Sequence, residues 1–261
     1  MAFVEKRVNG VRYLQSTLLD CPHGFSTRAG GVSTLPHLKS MNLGDNRGDD
    51  PKNVSENYRL FALAAGLPQK RISGNQIHSR AVLYAENTFT EQPRCDGFYT
   101  DREDLTLYVK IADCIPLLLY APDVPAVCAL HAGWRGTAAG IASEGVKRLE
   151  GLGSAPKNIR AAIGAGIGPC CYEVDEPFIS AFLSSLGQDF SKFLVKREGK
   201  TFADLKGTNR ELLLRAGLLE EHIDLCPRCT KCENDLFFSH RASGDLRGTM
   251  AAGIALGKKP S

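Results

Sequence analysis

Apolar residues along this chain fall into two rhythms. Short strand-like runs, several of them apolar throughout, recur along the whole length: VRYLQS (11–16), ISGNQIHS (72–79), AVLYAE (81–86), LTLYVKIAD (105–113), LLLYAP (117–122), AVCALHAG (126–133), IRAAIGAGI (159–167), HIDLC (222–226), FFSHRAS (237–243) and TMAAGIAL (249–256). Runs of this length and character predict strands covered on both faces. A second rhythm, with Val54, Tyr58, Phe61 and Ala65 at helical spacing, predicts a helix that starts at Asp50-Pro51 and stops at Gly66. Further helices are predicted over 136–150, 176–186 and 205–216, each ending near a glycine. The polar stretch 87–104 predicts a long connecting loop. Strands and helices alternate without a strict βαβ order. The expected class is therefore α/β or α+β: a layered sandwich of mixed β-sheets with flanking helices, forming a single domain over 1–261.

Composition narrows the function classes. The chain has 261 residues, 43% hydrophobic and 23% charged, enough for a sizeable core. Its 32 Lys and Arg exceed its 29 Asp and Glu by only three, with no long block of like charge. Nothing in this points to electrostatic capture by nucleic acid or a membrane surface, and it leaves room for a small anionic ligand. The opening MAFVEKRVNG has no apolar core of the kind a secretory signal needs, and no run approaches the length of a membrane span. A cytosolic protein, monomeric or a small homo-oligomer, is the expectation. Nine cysteines in a reducing compartment are expected as thiols.

Candidate chemistry sits at the ends of the apolar runs. His78, Cys114 and His131 are three potential ligands for Zn²⁺, and a catalytic zinc site needs three protein ligands with a fourth position open. The alternative for each is an ordinary packed core residue. Cys226, Cys229 and Cys232 in CPRCTKC have metal-knuckle spacing, but only His222 stands near as a fourth ligand; reduced or redox-active thiols are the other reading. Cys21, Cys95, Cys128, Cys170 and Cys171 carry no spacing signal. GAGIGP (164–169) lacks the third glycine of a dinucleotide fingerprint and reads as a strand followed by a tight turn.

Seven motifs carry a resemblance to a known family: HGFSTRAGGVS (23–33), MNLGDNRGDDP (41–51), NQIHS (75–79), ADC (112–114), HAGWRGTAAGI (131–141), GAGIGPCCYEV (164–174) and LFFSHRASGDLRGTMAA (236–252). In this order they resemble the bacterial YfiH family, also labelled polyphenol oxidase or laccase-domain proteins. The resemblance implies a single α/β domain with one zinc on His78, Cys114 and His131. It also implies purine nucleoside chemistry: deamination of adenosine to inosine, and phosphorolysis of adenosine, inosine and methylthioadenosine. Zinc suits the first reaction, because it activates water for attack at C6 of adenine.

Deamination further requires a proton carrier outside the ligand set, and Asp96, Asp113 and Glu173 are the candidates. Asp113 can serve directly only if its strand ends or bulges there. Arg135, at the start of a helix and four residues after His131, is the first anion candidate, and Arg28 before paired glycines is the second. The alternative for both is a surface salt bridge. Asn42 and Gln76 are candidates for the ribose or base on the resemblance. Trp134 and Phe25 are aromatic enough to stack on a purine, and Trp134 reads better as core.

Three other functions compete. A copper-dependent phenol oxidase follows from the family's older label, but a multicopper centre consumes many imidazoles and this chain has six His and no His-x-His pair. Copper at the same three ligands remains the alternative cofactor. An editing hydrolase for peptidoglycan precursors would share the site. A metal-stabilised interaction module would want a closed site with four ligands.

Overall fold

The computed structural model describes residues 3–257. In chain order the strands and helices are β1 (Phe3–Val8), β2 (Val11–Ser16), β3 (His23–Ser26), α1 (Pro51–Ala65), β4 (Arg71–Ile72), β5 (Val82–Tyr84), β6 (Gly97–Thr100), β7 (Thr106–Ile111), β8 (Ile115–Ala121) and β9 (Ala126–Ala132). There follow α2 (Trp134–Ala138), α3 (Ile141–Glu150), β10 (Arg160–Ile163), β11 (Glu173–Val174), α4 (Glu176–Leu186), β12 (Leu194–Arg197), β13 (Lys200–Ala203), α5 (Leu205–Arg215), β14 (Ile223–Leu225), α6 (His240–Ser243) and β15 (Met250–Ala255). Two six-stranded sheets dominate, ordered β1-β2-β3-β15-β7-β4 and β14-β10-β8-β9-β6-β5; a small third sheet is β11-β13-β12. Both large sheets are mixed. Most pairs are antiparallel, while β4–β7, β5–β6 and β10–β14 are parallel.

Side-chain alternation explains why the strands read as apolar throughout. In β7, Leu107 and Val109 face the space between the two large sheets, and Tyr108 faces the layer of α1 with Tyr58 and Phe61. In β8, Leu118 joins the inter-sheet core, and Leu117 and Leu119 face Val146, Phe182 and Leu213 of α3, α4 and α5. Period-two alternation thus feeds three apolar layers, giving the order α1, first sheet, second sheet, α3 to α5. Complete burial of a side chain such as Leu118 contributes roughly 1.5–3 kcal/mol. This bears out the expected layered α/β sandwich of mixed sheets.

Local signals hold where they rest on caps. Asp50 accepts from Lys52 N at 2.8 Å to start α1, and Gly66 ends it with φ 68°. The segments 176–186 and 205–216 are helical as expected, to within a residue. Five expectations need correction. The helix expected over 136–150 is two helices, α2 and α3, separated at Gly140, which is left-handed at φ 81°. The strand expected over 72–79 stops at Ile72, because the N–H groups of residues 77–79 bond to the Asp96 carboxylate instead of a neighbouring strand. FFSHRAS is not a strand: Phe237 and Phe238 enter the inter-sheet core, and Ser239 then caps α6 by accepting from Ala242 N. The strand expected to reach Ile167 ends at Ile163. The loop expected over 87–104 contains β6, which pairs with both β5 and β9. One further hairpin, β1–β2, turns at Asn9-Gly10, both at positive φ, as a two-residue Asn-Gly turn requires.

Candidate functional site

The chain passes from the first large sheet to the second between β4 and β5 and again between β7 and β8, and two of the three candidate ligands lie on these crossings. β4 and β7 belong to the first sheet, β5 and β8 to the second. His78 lies between β4 and β5, and Cys114 lies in the three-residue passage between β7 and β8. His131 is the penultimate residue of β9, opposite Pro116. The ligand atoms of His78, Cys114 and His131 all lie within 4.8 Å of one another. His78 Nε2 is 3.9 Å from Cys114 Sγ, and the two imidazole rings meet edge to face at 5.0 Å.

Two non-glycine residues at the site have left-handed backbone, His78 at φ 60° and Asp113 at φ 93°. Such conformations persist only where neighbours hold them. Asp96, fully buried just before β6, provides that hold at His78. Its carboxylate accepts from the backbone N–H groups of Ile77, His78 and Ser79 and from the Ser79 hydroxyl. It also accepts from His131 Nδ1 at 2.9 Å. Burial works against the Asp96 charge, but the bonds from His131 and Ser79 outweigh it and hold the carboxyl at about 2. Asp96 is therefore an acceptor, and His131 presents Nε2 to the other two ligands.

Charges inside the triad point the same way. Burial pushes the Cys114 thiol up, but His131 and His78 prevail and bring it down to about 6. Two imidazoles and a readily ionised thiol suit Zn²⁺ or a related borderline ion. The backbone passes close to them at Gly133, where a Cβ would stand 2.7 Å from His78 Cδ2 and 3.2 Å from Cys114 Sγ. Three ligands and a glycine-cleared approach fit a metal site with one position open.

The three residues line a cavity of about 480 Å³ together with Asp113, Gln76 and a basic rim of Arg47, Lys110, His240, Arg241 and Arg247. Its volume is in the range of small-molecule sites. Lys110 is paired with Asp45 at 2.9 Å. Arg247 is lowered by burial and by the neighbouring charge of Arg47, and its buried Nε has no hydrogen-bond partner. Two like charges and an unanswered donor favour an anion between them. Tyr172, whose hydroxyl burial pushes up to about 12, lines this cavity and a second one of about 850 Å³.

The other sequence candidates separate. Asp113 lines the first cavity; it follows the end of β7, so the condition for its direct service is met, and its carboxylate accepts from Thr230 Oγ1 and Arg241 N, each at 2.6 Å. Asp96 lies behind His131 with both oxygens engaged. Glu173 and Arg135 line the second cavity, where Glu173 pairs with Lys200 at 3.0 Å and Arg135 stacks over Trp134 at 4.3 Å. Trp134 packs on Phe178, and Phe25 is buried in the inter-sheet core. Arg28 lies outside both cavities, its guanidinium donating to the carbonyls of Lys39 and Asn234. Asn42 is fully buried, its Oδ1 accepting from Gly44 N and Thr249 N. Gln76 lines the first cavity while bonding both backbone groups of Lys110. His222 bonds the Lys157 carbonyl and Cys226 is buried in the core, so CPRCTKC does not converge as one group.

Sequence reasoning missed Arg47, Arg241 and Arg247. Their signal was present, since all three stand in two of the seven family motifs.

No helix among the described residues is long and apolar enough to cross a membrane. The comparisons agree with the motif resemblance. The chain is 38% identical over 247 residues to the purine nucleoside phosphorylase YlmD of Geobacillus stearothermophilus, covering 88% of each. It is 36% identical to the purine nucleoside phosphorylase YfiH of Escherichia coli, covering 88% of this chain and 92% of that one. The crystal structure of YlmD from Geobacillus stearothermophilus superposes with a TM-score of 0.88 at 34% identity, covering 96% of this chain and 97% of that one. Residues 22–257 match the family described as multi-copper polyphenol oxidoreductase laccase. Ordered motifs, fold and full-length similarity converge, and the chain belongs to this laccase-domain family of YfiH and YlmD proteins.

Proposed function

We propose that this chain is a zinc-dependent purine nucleoside phosphorylase that also deaminates adenosine, with nucleoside and phosphate as its small-molecule partners. The observation that carries the reading is the meeting of a three-ligand metal site with an arginine-lined wall in one cavity: His78, Cys114 and His131 on one side, Arg47, Arg241 and Arg247 on the other. Names of similar proteins support the same class.

A zinc ion held there supplies Lewis acidity to the oxygen it contacts. Asp96 accepts from His131 Nδ1, which fixes the ring and leaves Nε2 as the nitrogen that would bind the ion on losing its proton. Arg47, Arg241 and Arg247 hold the phosphate, whose charge satisfies the donors of Arg247. Asp113, which lines the cavity and accepts from Thr230 Oγ1 and Arg241 N, is the carboxylate we assign to carry a proton during deamination, on the lone pairs those bonds leave free. Arg135 remains a second anion contact, in the adjoining cavity that shares Tyr172 and Arg241 with the first.

The test is a product analysis by mass spectrometry of zinc-loaded protein with inosine or adenosine across a phosphate series, with Cys114→Ala as control. Phosphate-dependent release of free base and ribose 1-phosphate is expected, together with phosphate-independent inosine from adenosine, both lost in the control. Absence of free base at every phosphate level overturns the phosphorylase reading; absence of inosine removes the deaminase arm.

A further inference from the structure

A second group of metal-ligating side chains lies outside the site described above. Cys170 and Cys171, adjacent in the loop after β10, meet Cys229 and Cys232 from the segment after β14, and the four sulfurs lie within 4.8 Å of one another. Cys232 Sγ is 3.4 Å from both Cys170 Sγ and Cys171 Sγ, far beyond a disulfide bond. Four thiolates arranged tetrahedrally around one zinc at ~2.3 Å lie about 3.8 Å apart, which these positions approach without a change of fold. Cys229 is buried and accepts from Gly168 N at 3.2 Å, an N–H···S bond that steadies a ligating thiolate.

We propose that Cys170, Cys171, Cys229 and Cys232 bind one Zn²⁺ as a closed, structural tetrathiolate site. The thiols release their protons to solvent on binding, and no oxidant is needed. The two segments are joined by an isolated bridge between Gly166 and Cys229, by the bond from Thr230 N to Gly166 O and by the bond from Gly168 N to Cys229 Sγ. The ion would clamp them. Both segments reach the first cavity: Tyr172 follows Cys171 and lines it, and Thr230 follows Cys229 and donates to Asp113. The clamp therefore secures one wall of that cavity from behind. A chain without Cys170 and Cys171 in this fold would have only the Cys-x-x-Cys half, which is too few ligands for a closed site.

The experiment is metal counting by plasma mass spectrometry on the full chain, purified with zinc under reducing conditions. About two zinc ions per chain are expected, falling to about one in Cys170→Ser/Cys232→Ser and to about one in His78→Ala/His131→Ala. Cobalt replacement supplies a second readout: the intensity of sulfur-to-cobalt charge-transfer absorption scales with the number of bound thiolates, so a four-thiolate intensity is expected to persist in His78→Ala/His131→Ala, and the cysteine variant is expected to keep only the one-thiolate contribution of Cys114. If the cysteine variant fails to fold, the four-thiolate intensity in His78→Ala/His131→Ala decides the matter. A count unchanged in a folded cysteine variant, four freely reactive thiols in the zinc-treated protein, a disulfide among the four, or a cobalt spectrum of His78→Ala/His131→Ala without four-thiolate charge-transfer intensity would each overturn the proposal.

Discussion

Asp96 and His131 are joined twice: His131 N donates to the Asp96 carbonyl at 2.7 Å, and His131 Nδ1 donates to the Asp96 carboxylate at 2.9 Å. The pair sets ring position and tautomer together, and the same carboxylate holds the turn that carries His78. One buried side chain thus positions two of the three candidate ligands. Asn at position 96 keeps a single acceptor oxygen and turns an N–H₂ toward groups that are themselves donors. Asp96→Asn is expected to weaken zinc affinity by roughly 10- to 100-fold and to cost about 1–3 kcal/mol of stability. Chelator competition and denaturant unfolding measure the two. Unchanged affinity would show that the pairing does not orient the ligands.

Gly133→Ala should separate metal binding from folding. The added methyl meets His78 Cδ2 at 2.7 Å, and His78 is exposed and able to swing away. The fold should survive, and zinc affinity should fall roughly tenfold or more, since ligand geometry is lost. Thermal melting of the metal-free protein checks the first part, and zinc titration the second.

Arg247→Ala is expected to raise the phosphate KM about 10- to 100-fold, the equivalent of the ~1.5–3 kcal/mol of a charge-assisted hydrogen bond. Inosine formation from adenosine should change less, because deamination needs no phosphate. Arg135→Ala should have a smaller effect on phosphorolysis, since Arg135 lines the adjoining cavity that lacks the metal ligands. Equal losses in the two variants would put the phosphate at the junction beside Arg241.

Asp123 makes a pH prediction away from the site. Its slight burial works upward, but bonds from Asn158, Ser154 and Ala155 N prevail and hold its carboxyl at about 2. A folded-state value below the unfolded value of ~3.9 stabilises the protein above that pH. The contribution is lost as pH falls toward 2. The Tm difference between the protein and Asp123→Asn should therefore be constant near neutrality and shrink below about pH 4. A difference independent of pH would show that the charge is not what the loop at 154–158 recognises.

Much of this protein was decided locally and is legible in its sequence. Asp50 and Gly66 delimit α1 because capping and left-handed backbone are choices of single residues. The apolar runs predict strands covered on both faces because alternate side chains of β7 and β8 enter different layers, and each layer is apolar. The ordered motifs also pointed to the family and to His78, Cys114 and His131 as a ligand set. Tertiary structure decided what depends on where distant segments meet. The 72–79 run had strand character, yet Asp96, some twenty residues on, captures its N–H groups and bends His78 into a left-handed turn. Arg47 and Arg247 are two hundred residues apart, and only packing makes them neighbours whose charges repel. Cys170 and Cys171 show no spacing signal because the cysteines they meet, Cys229 and Cys232, follow some sixty residues later in the chain. Caps and periodicity act over a few residues and are written in order along the chain; ligand sets and charge clusters form across sheets, so the fold had to be closed before they existed.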